Sequence, residues 1–246
     1  MALALCLAAP SAAQRDAPGT NCLGPWPALD IAKLDACRPE PVSNEEKQSL
    51  LVSLPDRGEV KNLTEDQKRK LSLLDAVLAL HARKDVYLVK VIDVPQAWTG
   101  LYGRGVLLIS APLLKVVSSG ELQALVAHEI GHEYSWEAWN SARAAGRKDS
   151  MHDIELTCDA IAVITLEKLG EDPQLLISAL ERVARYNSER FGDAIDQTSH
   201  PPLGERRAVI EKLGRPTSKI SANTSKIGAA ASPVAIPIAL SIIATE

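Results

Sequence analysis

Two pairs of residues, each set four apart on neighbouring stretches of helical pattern, restrict what this chain can fold into. His128 and His132 belong to His-Glu-Ile-Gly-His, and Glu155 and Asp159 belong to Glu-Leu-Thr-Cys-Asp. Positions i and i+4 of a helix share a face, so each pair projects from one side of its own segment. Around the first pair, Leu122, Leu125 and Val126 recur at helical spacing. Around the second, Leu156, Ala160, Ile161 and Val163 make the segment largely apolar. Acidic groups on such a segment are costly to bury unpaired. Either both carboxylates reach water, or something inside the fold partners them.

A metal ion resolves that cost. Two imidazoles on one helical face can reach a single ion, and zinc suits two neutral imidazoles plus a carboxylate with one position left open for water. Such an ion acidifies the water, and a carboxylate displaced by one position, Glu129, can take its proton. Glu155 is the candidate third ligand. Asp159 is the candidate acceptor for an imidazole N–H, the usual way a ligating histidine is oriented. One zinc ion per chain is therefore expected, held by His128, His132 and Glu155. His152 lies off the Glu155–Asp159 face and reads as a polar residue at a helix start. His81 ends an amphipathic helix and reads as structural, and Cys158 as a small buried residue.

The periodicity predicts helices over 44–54, 64–84, 119–141, 151–169, 173–191 and 203–213, with a short one over 112–117. Thr64 with Gln67, and Ser118 with Glu121, stand at capping-box spacing. Residues 86–94 and 105–110 are rich in β-branched and aliphatic residues and read as strands, paired as a hairpin or as neighbours. Residues 95–104 carry turn chemistry. The fold class expected is α+β, a mainly helical domain with a small sheet.

Four parts are expected along the chain: a signal peptide over 1–13, a Pro-rich segment over 14–43, a main domain with the metal pattern over 44–215, and a polar linker with an apolar tail over 216–246. The apolar start followed by Ser-Ala-Ala fits a secretory signal, although its basic n-region is missing. The competing reading is an Ala-rich tail. Export would let Cys22 and Cys37 pair around the Pro-rich loop; otherwise they are unrelated thiols. Lys and Arg total 27 against 31 Asp and Glu, which gives no footprint for nucleic acid. Beyond the N-terminal segment no stretch reads as a membrane span. The expected location is periplasmic or secreted, with peripheral membrane association left open.

The order HExxH, ExxxD, then Ser199-His200-Pro201-Pro202 with Arg206 beyond, resembles the HtpX and CAAX-prenyl-protease-type zinc metallopeptidases. The likeness covers about residues 86–212. It implies a zincin-like fold, zinc on His128, His132 and Glu155, and Glu129 as general base. It implies an orienting role for Asp159. His200 takes the place of a histidine that approaches the zinc, to assist catalysis or to hold the enzyme latent, and Arg206 could pair with Asp159 or Glu155. Arg207 departs from the family, which has an apolar residue there. The membrane helices of the HtpX type are missing too, so the chain is similar to a soluble, exported bacterial branch. The activity expected is endopeptidase action on proteins or peptides, using metal-activated water. The substrate would lie extended along the strand carrying Val106, Leu107, Leu108 and Ile109. The alternative is a latent or non-catalytic zinc-containing chaperone or binding protein of the cell envelope.

Overall fold

A computed structural model describes residues 22–24, 26–53, 60, 62–192 and 200–214. The expected signal segment, the C-terminal tail and Ser199 lie outside the described residues. A 3-10 turn, Trp26–Ala28, precedes α1 (Ile31–Ala36), α2 (Asn44–Ser53), α3 (Glu65–Ser72) and α4 (Leu74–Leu80). Three strands follow, β1 (Leu88–Ile92), β2 (Thr99–Tyr102) and β3 (Val106–Ser110). The rest is helical: α5 (Ala111–Val116), α6 (Ser119–Tyr134), α7 (Trp136–Ala144), α8 (Lys148–Leu169), α9 (Gln174–Phe191) and α10 (Leu203–Leu213). The fold is the expected mainly helical α+β domain with a small sheet.

The strands run in the order β1-β3-β2, with β1 parallel to β3 and β2 antiparallel to it. The strands predicted at 86–94 and 105–110 are neighbours but do not form a hairpin. The hairpin partner of β3 is β2, in the stretch read as a turn. Gly103 and Arg104 both have positive φ, +57° and +61°, and Gly105 N–H donates to Tyr102 O. That is the type I′ pattern whose twist matches flanking strands.

Every residue of β3 is buried, and a strand lies on each of its edges. This corrects the expectation that a substrate pairs with Val106, Leu107, Leu108 and Ile109. Their backbone groups are already used by β1 and β2, and the outer edge on the β2 side belongs to β2.

The helix predicted over 119–141 breaks at Ser135, and the one over 64–84 at Leu73, giving α6/α7 and α3/α4. Both predicted capping boxes form. Val91, Leu107 and Ile109 on one face of the sheet join Leu122, Val126, Ile130, Leu166, Leu176 and Ile210 in the main core. Helix α6 is buried nearly all round, lying against β2, α8 and α9.

Cys22 and Cys37 are disulfide-bonded. The loop they close carries Leu23 and Leu34 onto Ile161 of α8. Beyond it, Pro39 O accepts from Arg83, and Arg83 Nε donates to Glu133 Oε2 at 2.6 Å. Tyr87 also donates to Glu133. The N-terminal segment is thus bonded to the back of the helices that carry the site.

Candidate metal centre

The site is built where α6 and α8 cross, and a glycine permits the crossing. A Cβ on Gly131 would lie 2.8 Å from Cys158 Cα and 2.9 Å from Cys158 Cβ. Only a residue without a side chain lets the two backbones approach this closely. The approach turns the His128/His132 face toward the Glu155/Asp159 face. The capping box at Ser118 and Glu121, with bonds of 3.2 and 2.6 Å, fixes where α6 starts.

The ligand atoms of His128, His132 and Glu155 all lie within 4.8 Å of one another. His128 Nε2 is 3.3 Å from Glu155 Oε2, and His132 Nε2 is 3.4 Å from Glu155 Oε1. Glu155 is 1% exposed, and both its oxygens are buried without a hydrogen-bond partner. A carboxylate stripped of water and given no donor is expensive. A cation among these three side chains removes the penalty, so the donor set fits a metal, and two imidazoles with one carboxylate suit zinc.

Behind the donors sits the orienting layer. His128 Nδ1 is 2.9 Å from Asp159 Oδ1, which directs Nε2 toward Glu155. Asp159 is fully buried and is gripped by Arg206, Nε to Oδ2 at 2.8 Å and Nη2 to Oδ1 at 2.6 Å. This is the fork geometry in which arginine binds carboxylate most strongly. Of the two partners expected for Arg206, it takes Asp159. Arg207 points elsewhere, to Glu181 on α9 and Glu211 on its own helix, so its departure from the family pattern is confined to the surface. His132 is steadied differently, by the ring of Trp139 set edge-on with centroids 5.1 Å apart.

The surroundings set the charges. Burial pulls the His132 pKa down to about 4, leaving the ring neutral as a ligand must be. Burial opposes charge on Glu155, but His128, His132 and His200 around it bring its pKa down to about 2. Burial also acts against a charged His128, yet its bond to Asp159 and the Glu155 carboxylate close by prevail and raise it to about 9. A metal must displace that proton. Glu129 is partly buried, and burial raises its pKa to about 7, with His128 and the backbone amide of Leu101 pulling the other way. A base poised near neutrality is what proton transfer at pH 7 requires.

His200 Nε2 lies 3.6 Å from Glu155 Oε1 with its side chain about half exposed, at 49%. His81 is wholly structural: its ring nitrogens meet Tyr134 Oη at 3.0 Å and Thr165 Oγ1 at 2.8 Å. Cys158 is buried against the Gly131 contact. Sequence reasoning missed Leu101, whose main chain reaches Glu129. It also missed Asn187, whose position four residues after Val183 on the packed face of α9 was the available signal.

Comparison with known proteins agrees with this geometry. Residues 62–148 match the model of peptidase family M48. That stretch holds His128, Glu129 and His132 but stops short of Glu155. The chain is also 25% identical over 181 residues to plastoglobule-localized metallopeptidase 48, chloroplastic, of Arabidopsis thaliana, a match covering 58% of this chain and 52% of the relative. The chain thus spans about half the length of that curated relative.

Proposed function

We propose that this chain is a zinc-dependent endopeptidase. The observation that carries the reading is the buried Glu155 carboxylate, without a hydrogen bond and 3.3 and 3.4 Å from two imidazole nitrogens, with Glu129 one position from His128 on the same helix. The M48 match and the metallopeptidase relative support the same class. We extend the reading to an HtpX-type enzyme of an oxidising, extracytoplasmic compartment. The Cys22–Cys37 bond supports that location, since such bonds persist where thiols are not kept reduced. Among the described residues no helix is long and apolar enough to cross a membrane.

Held by His128, His132 and Glu155, a zinc ion supplies Lewis acidity toward a carbonyl and lowers the pKa of water. The protein supplies the rest. Glu129 accepts a proton from the attacking water and returns it to the departing amine. Asp159, locked by Arg206, keeps His128 in one tautomer. His200, on the open side of Glu155, can donate to a developing oxyanion.

The peptide lies along β2. Ser110 N–H donates to Trp98 O at 2.8 Å. Antiparallel ladders alternate, so Trp98, Gly100 and Tyr102 face β3 while Thr99 and Leu101 turn their amides and carbonyls to the outer edge. A strand added there uses backbone bonds that ignore side-chain identity, which suits broad substrate range. Leu101 places this edge beside Glu129.

A Glu129→Gln variant is the test. It should bind zinc as the wild type does and lose at least a thousandfold in cleavage of unfolded casein. Retained cleavage contradicts the assignment. Zinc binding by the wild type with no cleavage at any pH favours the non-catalytic alternative, with His200 as the group that closes the site.

A further inference from the structure

The outer edge of β2 is stopped at one end. Asn187 of α9 is 7% exposed and faces the main chain of Ala97, donating from Nδ2 to Ala97 O at 2.9 Å and accepting from Ala97 N–H at 2.9 Å. One donor and one acceptor, spaced as in a peptide group, are what a neighbouring strand would offer there. Ala97 precedes Trp98, whose groups turn toward β3, so Ala97 turns the same way as Thr99 and Leu101. Asn187 therefore occupies, on that edge, the place the next peptide group of an added strand would take.

Trp98 stands beside the stop. It is 42% exposed, rare for so large an apolar side chain among the described residues. Its backbone is held on both sides by Ser110, N–H to Oγ at 2.8 Å and O from N–H at 2.8 Å. Its ring covers Gly100, where a Cβ would come within 2.6 Å of the indole. Trp98 and Gly100 share one face of the strand. A substrate side chain on that face meets a rigid aromatic wall, which favours apolar contact at low ordering cost.

Resting on the reading of β2 as the substrate edge, we propose that Asn187 and Trp98 set substrate specificity by limiting and lining one arm of the cleft. From Leu101, beside Glu129, to Ala97 is about 13 Å at strand rise. Leu101 gives its outward N–H to Glu129, which leaves the Leu101 carbonyl and both groups of Thr99 on the outer edge, room for an arm of about three residues. The substrates selected carry an apolar residue against Trp98 and a short or sharply turning chain beyond it.

The test uses the zinc-loaded enzyme and two peptide sets around one cleaved core, lengthened residue by residue from either end. In the wild type, kcat/KM should climb at one end for about three residues and then stop rising, with no such stop at the other end. Asn187→Ser should move the stop outward by at least one residue. Trp98→Ala should lower kcat/KM roughly tenfold for peptides with Leu or Phe in the arm, the scale of one lost apolar contact, without moving the stop. A wild-type profile that keeps rising past six residues at both ends overturns the proposal, whether or not the Asn187 variant folds. So does a stop left in place by a folded Asn187→Ser. Cleavage of no peptide in either set overturns the peptidase reading and this one together.

Discussion

Asp159 and Gly131 do the least visible work at the residue scale and make the sharpest predictions. Asp159→Asn keeps the shape but removes the charge that Arg206 needs, leaving a guanidinium buried without its carboxylate. Breaking a buried pair this way costs about 3–5 kcal/mol. Loss of a ligand's orienting partner lowers metal affinity about 10–100-fold. Urea unfolding and chelator competition should register both losses. Gly131→Ala sets two effects against each other. Alanine favours the helix by about 1 kcal/mol. Its methyl, however, would lie 2.8 Å from Cys158 Cα, a backbone atom that cannot swing aside, and overpacking costs about 1–3 kcal/mol. Overpacking should win, so the variant should melt lower and release zinc faster. The candidate donor cluster was legible in the sequence because helical period puts His128 with His132 and Glu155 with Asp159. Which carboxylate Arg206 would choose was not, because it depends on where α10 docks.

At the scale of elements, helices with long apolar stripes and caps were readable, whereas the sheet was only half so. The stretch Thr-Gly-Leu-Tyr of β2 is short, contains a glycine and abuts a turn; it is a strand because β3 lies beside it. The half-buried outer edge that the proposed mechanism uses was therefore invisible before the fold was known, and the buried β3 drew attention instead. The α4–α6–α8 junction carries a pH prediction. His81 sits at the end of α4 between Tyr134 of α6 and Thr165 of α8, and burial lowers its pKa from 6.5 to about 4. The unfolded chain binds this proton at a higher pH than the folded one. The contribution is thus fully present above pH 6.5 and is lost as pH falls from there toward 4, up to about 3 kcal/mol. His81→Gln should flatten the fall in melting temperature between pH 6.5 and 4; an unchanged slope contradicts this origin.

At the scale of the whole molecule, the N-terminal segment and the site-bearing helices form one stability unit. Leu23 and Leu34 pack on α8, and Pro39 and Glu40 accept from Arg83 and Arg104, which both reach Glu133 of α6. The loop closed by Cys22 and Cys37 spans a sequence separation of 15, for which loop entropy gives about 3 kcal/mol. Replacing both cysteines by serine should lower unfolding stability by about that amount. The sequence pattern marked the two cysteines as partners only on the condition of export; the docking of their loop on Ile161 needed the tertiary structure.

The proposed function stands or falls on a zinc ion held by His128, His132 and Glu155. It is tested most directly by adding zinc in steps to chelator-stripped protein while following cleavage of unfolded casein. No cleavage is expected without metal, and the rate should rise linearly and break at one zinc per chain. Cleavage by the stripped protein, or one tightly bound zinc with no cleavage, would contradict it.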